Sequence, residues 1–574
     1  MFKSTLKSIV NPTTKSFSNS SLLAKSCLTK LALPATLKLT LLASAFTFGL
    51  GAQAVNIPEG VELAQKQTLS FNLNTYPNTL DPTYMYYGVE FQTGRPVFDT
   101  LVRLDNTGKY IPAAASSWEQ SADGLTWIFH LRQGATWQDG VPVRAQDFVY
   151  AWQRLTDPKN AAHYGDYLAV ANVVNAREIN EGKLAPTTLG VTAIDDNTLE
   201  IKLTQPTAWL PEILGWLNTA PVRQDLIEKY GDAWTRPENI VGNGPYKITA
   251  AQVNDYMTYS KWDGYWDAAN IVITDIRHEF INNPTMAYFR YLEGEYLVAN
   301  IPTQFKEKMR QERPDELTNI TTLNTAWLTV NPKYVPDVRV RQALSLLINR
   351  EVMTKNVIGS NNPTTAVSPA AIRDGQEVTQ ADYFYRPQEV NNAEAIKLLT
   401  EAGYSATNPF KLVYLTPSDS ESMKRFVALQ GMLKQNSQRI VQLSQEALES
   451  KVWQQRYRSG DFQVLQGSWS ADFDQASSFY NLFISHSPFN QGMYSNPEYD
   501  KLVELANRDL DAKQRAHYYA EANKVLQRDL PVIPLWNVQN QILKSPTLGG
   551  YYTENFIRYY RDMYIMTTPV VAKK

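Results

Sequence analysis

A chain of 574 residues, 43% apolar and 20% charged, is long enough for about three domains, each able to bury a core. Its 55 basic and 57 acidic side chains nearly cancel, which argues against nucleic acid or anionic lipid as partner. The single cysteine, Cys27, leaves no disulfide framework and no cysteine metal site.

The first 54 residues hold six lysines and no acid, and an apolar run from Leu39 to Leu50 leads into Ala52-Gln53-Ala54. A basic stretch, an apolar stretch and an A-x-A end are the parts of a cleavable signal peptide, residues 1–54. The apolar run is too short for a stable membrane span, and no later stretch has the roughly 18 uncharged apolar residues that one needs. The mature chain is expected to be exported and to start near Val55, with 49 basic and 57 acidic residues and no thiol. Lys25, two places before Cys27, does not fit a lipid-attachment signal.

In chain order, LTWIFHL (125–131) places Leu125, Trp127, Phe129 and Leu131 on one face, and TLEIKLT (198–204) does the same with Leu199, Ile201 and Leu203. Both predict half-buried strands. Val340, Ala343, Leu344, Leu347 and Ile348 follow helical spacing after a possible Asp337 cap. A helix around 393–402 stops at Gly403, and another, about 511–529, ends before Pro531. Strands and helices intermixed over this length predict a multi-domain α/β protein.

Catalytic and metal patterns are missing. His130, His163, His278, His486 and His517 never fall in H-x-x-x-H spacing, there is no G-x-S-x-G, and Gly242-Asn243-Gly244-Pro245 reads as a turn. His130 reads as a surface or packing residue. The 32 tyrosines and 13 tryptophans are mostly core, with a minority available to line a cleft. A binding protein fits better than an enzyme. An exported peptidase, the reading from another class, would need an activated nucleophile or a metal, for which there is no pattern. One stretch stands out: GSWSADFDQASSFYNLF (467–483) sets two aspartates among a tryptophan and three phenylalanines. Carboxylates beside that much ring surface need a positive partner.

Several collinear segments carry a resemblance: NTLDPTYMYYGVEFQTGRPVFDTLVRLD (78–105), AAASSWEQSADGLTWIFHLRQGATWQDGVPVRAQDFVYAWQRL (113–155), WTRPENIVGNGPYKI (234–248), DVRVRQALSLLINRE (337–351), GSWSADF (467–473) and RDLPVIPLW (528–536). Together they resemble the peptide-type (family 5) extracytoplasmic solute-binding proteins of ABC importers, over nearly the whole mature chain. The resemblance implies a type II-like, three-domain periplasmic binding protein. Domain I would comprise 55–102, 224–323 and 541–574, domain II 103–223, and domain III 324–540. Two lobes would close on an extended peptide whose main chain bonds in β-strand fashion, with side chains in wet pockets. The partners implied are an oligopeptide and an inner-membrane ABC permease and ATPase complex. The chain is expected to act in the periplasm, as a monomer, without cofactor, metal or nucleic acid. Murein (cell-wall) tripeptide is the alternative ligand; no histidine or cysteine cluster supports a nickel or haem ligand.

In the family, the aspartate of a W-x-A-D motif pairs with the ligand's α-ammonium, which assigns Trp469, Ser470, Ala471 and Asp472 to the site. The missing cation would then belong to the ligand, as an α-amino group of reference pKa about 7.7–8.0. Glu90 aligns with a cleft glutamate, Tyr167 with a cleft tyrosine, and Trp327, Trp469 and Trp536 are candidates for an aromatic wall. Asp474, four residues before Ser478, reads as a helix N-cap. There are two departures. Close relatives carry a disulfide at the positions of Asn324 and Ser470, and oligopeptide-binding members carry an arginine at Gln466 that meets the carboxylate of a short peptide. A neutral amide cannot replace that charge, and Arg456 or Arg458 could substitute for it.

Overall fold

The expected strands form as Thr126–Leu131 and Thr198–Lys202, with Trp127, Phe129, Leu131, Leu199 and Ile201 buried. They are the middle of an antiparallel four-stranded sheet completed by Ala115–Gln120 and Val191–Asp195. The computed structural model describes residues 57–568, apart from 106–108, 208, 360–361, 510 and 553–557. The expected signal peptide, 1–54, lies outside the described residues. His130 is on the surface beside Glu119, as expected.

A second sheet orders Thr68–Asn72, Asp275–Glu279, Tyr256–Lys261 and Tyr246–Gln252, the first pair parallel. Both sheets feed one continuous apolar cluster that reaches from Leu69 to Phe280 and takes in Ile542, Leu548 and Tyr560 near the C-terminal end. Residues 103–223, expected as a separate domain, thus share their core with the segments on either side. The 242–245 turn has a packing reason for its glycines: a Cβ on Gly242 would stand 1.9 Å from the carbonyl oxygen of Val97.

The third sheet positions the site. Its strands run in the order Val298–Asn300, Val532–Lys544, Leu317–Val330, Val464–Ser470, Phe410–Pro417, Val441–Leu448, and Asn362–Pro363 also pairs with Val532–Lys544. Period-2 alternation covers both faces. From Leu317–Val330, Ala326, Leu328 and Val330 enter one apolar cluster with the helices Val338–Leu347 and Ser420–Asn436, while Leu323 and Trp327 enter another with Pro497–Arg508 and Ala512–Asp529. The helix signals in the sequence hold: Asp337 accepts from the N–H of Arg339, Asp511 caps the last helix, and Gln388–Glu401 ends before Gly403 at φ 90°. Among the described residues no helix is long and apolar enough to cross a membrane, and no cluster of three acids, histidines or cysteines could hold a metal.

Leu317–Val330 and Val532–Lys544 pair antiparallel along most of their length, with register shifts between Thr321 and Thr325 and between Ala326 and Trp327. The expected joints at 323/324 and 540/541 fall inside these two strands. Asn324 lies opposite Ser470, and its Nδ2 donates to the Ser470 hydroxyl at 2.6 Å. A hydrogen bond thus stands where relatives are expected to have a disulfide. The neighbouring pair is hydrogen-bonded, Ala471 N–H to Leu323 carbonyl at 2.8 Å, so 324/470 is a non-hydrogen-bonded pair with side chains close together. The double variant Asn324→Cys/Ser470→Cys should oxidise spontaneously and gain about 2–4 kcal/mol. Thiol titration and melting with and without reductant check this; free thiols in the folded, air-exposed variant would contradict the geometry.

Candidate ligand-binding site

The Val464–Ser470 strand pairs on one side with Leu317–Val330 throughout. Gly467 is required there, because a Cβ would meet Trp327 Nε1 at 2.8 Å and Thr329 Oγ1 at 3.0 Å. On its other side, Phe410–Pro417 pairs only at Tyr414/Val464 and Leu415/Leu465 and then diverges. Residues 466–470 therefore present an edge without a strand partner among the described residues, roughly 16 Å long at about 3.3 Å per residue. Since 471 bonds to 323, alternation turns the backbone groups of Gln466, Ser468 and Ser470 toward that open edge.

The divergence opens a cavity of about 1170 Å³. Gln466, Gly467, Ser468, Trp469, Ser470 and Asp472 form one wall, Leu73, Tyr76, Tyr86, Tyr87 and Tyr164 another, and Thr416, Pro417, Ser418, Ser422 and Arg425 a third. At one end Asp472, 8% exposed, accepts a hydrogen bond from the Tyr164 hydroxyl at 3.2 Å. Its own N–H donates to the Ser478 hydroxyl at 3.0 Å, which fixes the loop. No arginine, lysine or histidine among the described residues lies within ion-pair reach of Asp472. Burial pushes its carboxyl up to about 8; Asp166 adds to this and the Tyr164 hydroxyl opposes it. Asp166 itself is pushed up to about 6 by burial.

The next residue locks the loop across the cavity mouth. Phe473, from the segment after Val464–Ser470, is buried in the other cluster against Tyr167, with ring centroids 6.5 Å apart. Phe489 likewise packs on both Trp469 and Tyr164, at 5.0 and 5.8 Å. Arg373 spans the same gap, 2.5 Å from Glu212 and 3.6 Å from Asp474.

Of the residues singled out in the sequence, Asp472, Trp469, Ser470 and Gln466 line the cavity. The others need correction. Ala471 is buried in the aromatic cluster behind the loop, and Trp327 belongs to the same cluster. Trp536 is buried on the opposite sheet face. Tyr167 is buried behind Tyr164, which takes the cavity position instead. Glu90, 1% exposed, accepts from the N–H groups of Asn78, Tyr86 and Tyr87, so its carboxylate holds the 78–90 turn together. Asp474 is no N-cap: it accepts from the Arg373 N–H, and the short helix Ser477–Tyr480 begins after Ala476. Nor do Arg456 and Arg458, in the last turn of the helix Ser450–Arg458, reach the cavity. Arg456 is paired with Glu446 and Asp461, and Arg458 lies over the rings of Tyr86 and Tyr87 and bonds the Tyr87 hydroxyl.

Two cavity arginines were not legible in the sequence. Arg95, 6% exposed, lies over Trp216 and Tyr559, and its Nη2 has no partner. Arg425 donates to the Ser422 hydroxyl at 2.9 Å and keeps a buried, unpartnered Nε.

A roomy cavity, a free strand edge and an unanswered carboxylate are the parts of a ligand-binding cleft. The chain belongs to the bacterial extracellular solute-binding proteins, family 5, whose middle-region model matches residues 109–491. It is similar to the periplasmic oligopeptide-binding protein OppA of Haemophilus influenzae, 36% identical over 519 residues, 90% of this chain and 96% of that one. The crystal structure of that protein in complex with RPPGFSPFR aligns with a TM-score of 0.84, covering 88% of this chain and 100% of the other. The murein tripeptide-binding protein MppA of Escherichia coli also aligns at 0.84, with 33% identity and coverage of 88% and 100%. An unliganded open form of MppA, at the same identity and with coverage of 89% and 99%, falls to 0.68. The present chain is thus closer in shape to the peptide complex than to the open form.

The raised Asp472 pKa has a signed consequence. Between about 4 and about 8 the folded, ligand-free protein holds a proton that the unfolded chain has released, so this residue's contribution makes stability fall as pH rises through that window. Asp472→Asn should match wild type near pH 4 and become progressively more stable than it up to pH 8, with no further gain above. Denaturant melts of the stripped proteins across that range check this, and a pH-independent difference would contradict it.

Proposed function

We propose that this chain is the periplasmic substrate-binding component of an ABC peptide importer, capturing oligopeptides in the cavity and delivering them to the membrane permease and its ATPase. The observation that carries the reading is Asp472, a buried carboxylate with a hydroxyl partner and no cation, at the end of an unpaired strand edge. A peptide supplies both missing parts. Its ammonium answers the carboxylate, and its main chain completes the edge from 466 to 470. Main-chain bonds are common to all peptides, and a roomy polar cavity leaves side chains in water, so affinity need not imply sequence preference.

Family membership and the named relatives support binding rather than catalysis, and periplasmic relatives support action there after export by the 1–54 signal peptide. Closure would bring domain III, 324–540, onto domain I, 55–102, 224–323 and 541–574, with domain II, 103–223, as an appendage sharing its core. The molecule acts as a monomer, one ligand per chain. Murein tripeptide is a second reading, favoured by two cavity arginines that have no acidic partner among the described residues and suit a ligand with several carboxylates.

Protein stripped by denaturation and refolding should melt higher with tri- to pentapeptides, by about 2.7 kcal/mol of stabilisation at a hundredfold excess over Kd, and not with free amino acids. The peptides should be recovered intact by mass spectrometry. N-terminal acetylation should cost on the order of 2–5 kcal/mol by calorimetry, and Asp472→Ala should remove most of that difference. Equal affinity for free and acetylated peptides would sink the role of Asp472, and a flat thermal-shift screen would sink peptide capture.

A further inference from the structure

Gln466 leaves open which group receives the far end of the ligand. The answer rests on the peptide reading above and on where Phe410–Pro417 leaves its neighbour. A peptide anchored at Asp472 and laid along 466–470 runs toward Leu415/Leu465, where the two strands come together and the gap closes. Its carboxylate must emerge beside Gln466 and Thr416. The helix Ser420–Asn436 begins just there, and Ser422 and Arg425, one turn apart, both face the cavity.

Arg425 is suited to an anion. Its Nη2 is held by the Ser422 hydroxyl at 2.9 Å, its Nε is buried with no partner, and no described carboxylate lies within ion-pair reach. A guanidinium with an unsatisfied N–H beside one held by a hydroxyl has the fork geometry that matches the two oxygens of a carboxylate, once the side chain turns that N–H to the cavity. The nearby acids are committed elsewhere. Asp419 accepts from the N–H groups of Glu421 and Ser422, and Glu449 from that of Lys451, each capping its own helix. Arg95 stands at the other end: its guanidinium covers Trp216, which packs against Tyr164 and so lies beside Asp472.

We propose that Arg425 receives the α-carboxylate of a short peptide whose amine is held by Asp472, in place of a charge on the strand at Gln466. Arg425 thereby sets the length of ligand for which a free C-terminus matters.

The test is calorimetric titration of alanine peptides of three to six residues, each as free acid, C-terminal amide and N-acetyl derivative, into wild type, Arg425→Gln, Arg425→Lys and Lys451→Ala. In wild type, amidation should weaken binding about tenfold or more at one peptide length and less at the others. Arg425→Gln should bind free acid and amide of that length equally and keep the full penalty for acetylation. Arg425→Lys should retain part of the discrimination, which guards against a merely misfolded variant. Lys451→Ala should behave as wild type. The inference is overturned if wild type ignores amidation at every length, if Arg425→Gln still discriminates, or if the discrimination is lost in Lys451→Ala instead. Failure of the underlying peptide reading shows separately, as indifference to acetylation or no binding of any form, and overturns this inference with it.

Discussion

The site is organised around a carboxylate buried with nothing positive to answer it. Asp472 could shed its charge by taking up a proton, and burial pushes it that way. A charged ligand offers the better solution, because an ammonium at hydrogen-bonding distance relieves the desolvation without a proton. On the proposed function the ligand-free cavity is therefore the costly state, and a peptide that supplies the cation would favour the form that holds it. Contacts across the cavity are on the same loop: Phe473 is buried against Tyr167, and Asp474 receives Arg373, which also holds Glu212. One segment of three residues, 472–474, carries the carboxylate and these contacts together.

Generality comes from a different feature, the early divergence of Phe410–Pro417 from Val464–Ser470. A sheet interrupted after two paired residues leaves backbone donors and acceptors that only another strand satisfies, and buried backbone groups are rarely left unpaired. The edge is kept open by the wall rather than by its own sequence. Asp419 and Glu449 cap the helices that flank the opening, and Gly467 lets Trp327 press against the covered face, so the strand is braced from behind. An aromatic wall, imagined from the tryptophans, is instead mostly tyrosine: Tyr76, Tyr86, Tyr87 and Tyr164 face the cavity with Trp469. Tyrosine combines ring surface with a hydroxyl that bonds water or ligand, which suits variable side chains.

How much of this the sequence could tell follows from which properties are local. Strand alternation at 126–131, the Asp337 cap and the stop at Gly403 are local, and they fold as read. The W-x-A-D stretch was legible because a short motif fixes both the aspartate and the ring beside it. Whether a large side chain faces a cavity or a core is not local. Trp536 and Trp327 lie on paired strands of one sheet, and only the helices packed over each face decide that both are buried. Tyr167 and Tyr164 lie three residues apart across the turn that leads into the helix Tyr167–Val170, and that turn separates the ring behind from the one that meets Asp472. Glu90 shows the same limit: its spacing from Tyr87 allows a capping box, which consumes the carboxylate. Arg95 and Arg425 carry no motif, and their significance arises from having hydroxyl partners and no acidic partner among the described residues.

The most direct measurement is a crystal structure of ligand-stripped protein re-bound with a single free-acid tripeptide. The ammonium should lie about 2.8 Å from the Asp472 carboxylate, and the main chain should bond to Gln466, Ser468 and Ser470 along the open edge. A peptide seated with its amine away from Asp472, or a cavity that closes with the edge unpaired, would contradict the central claim.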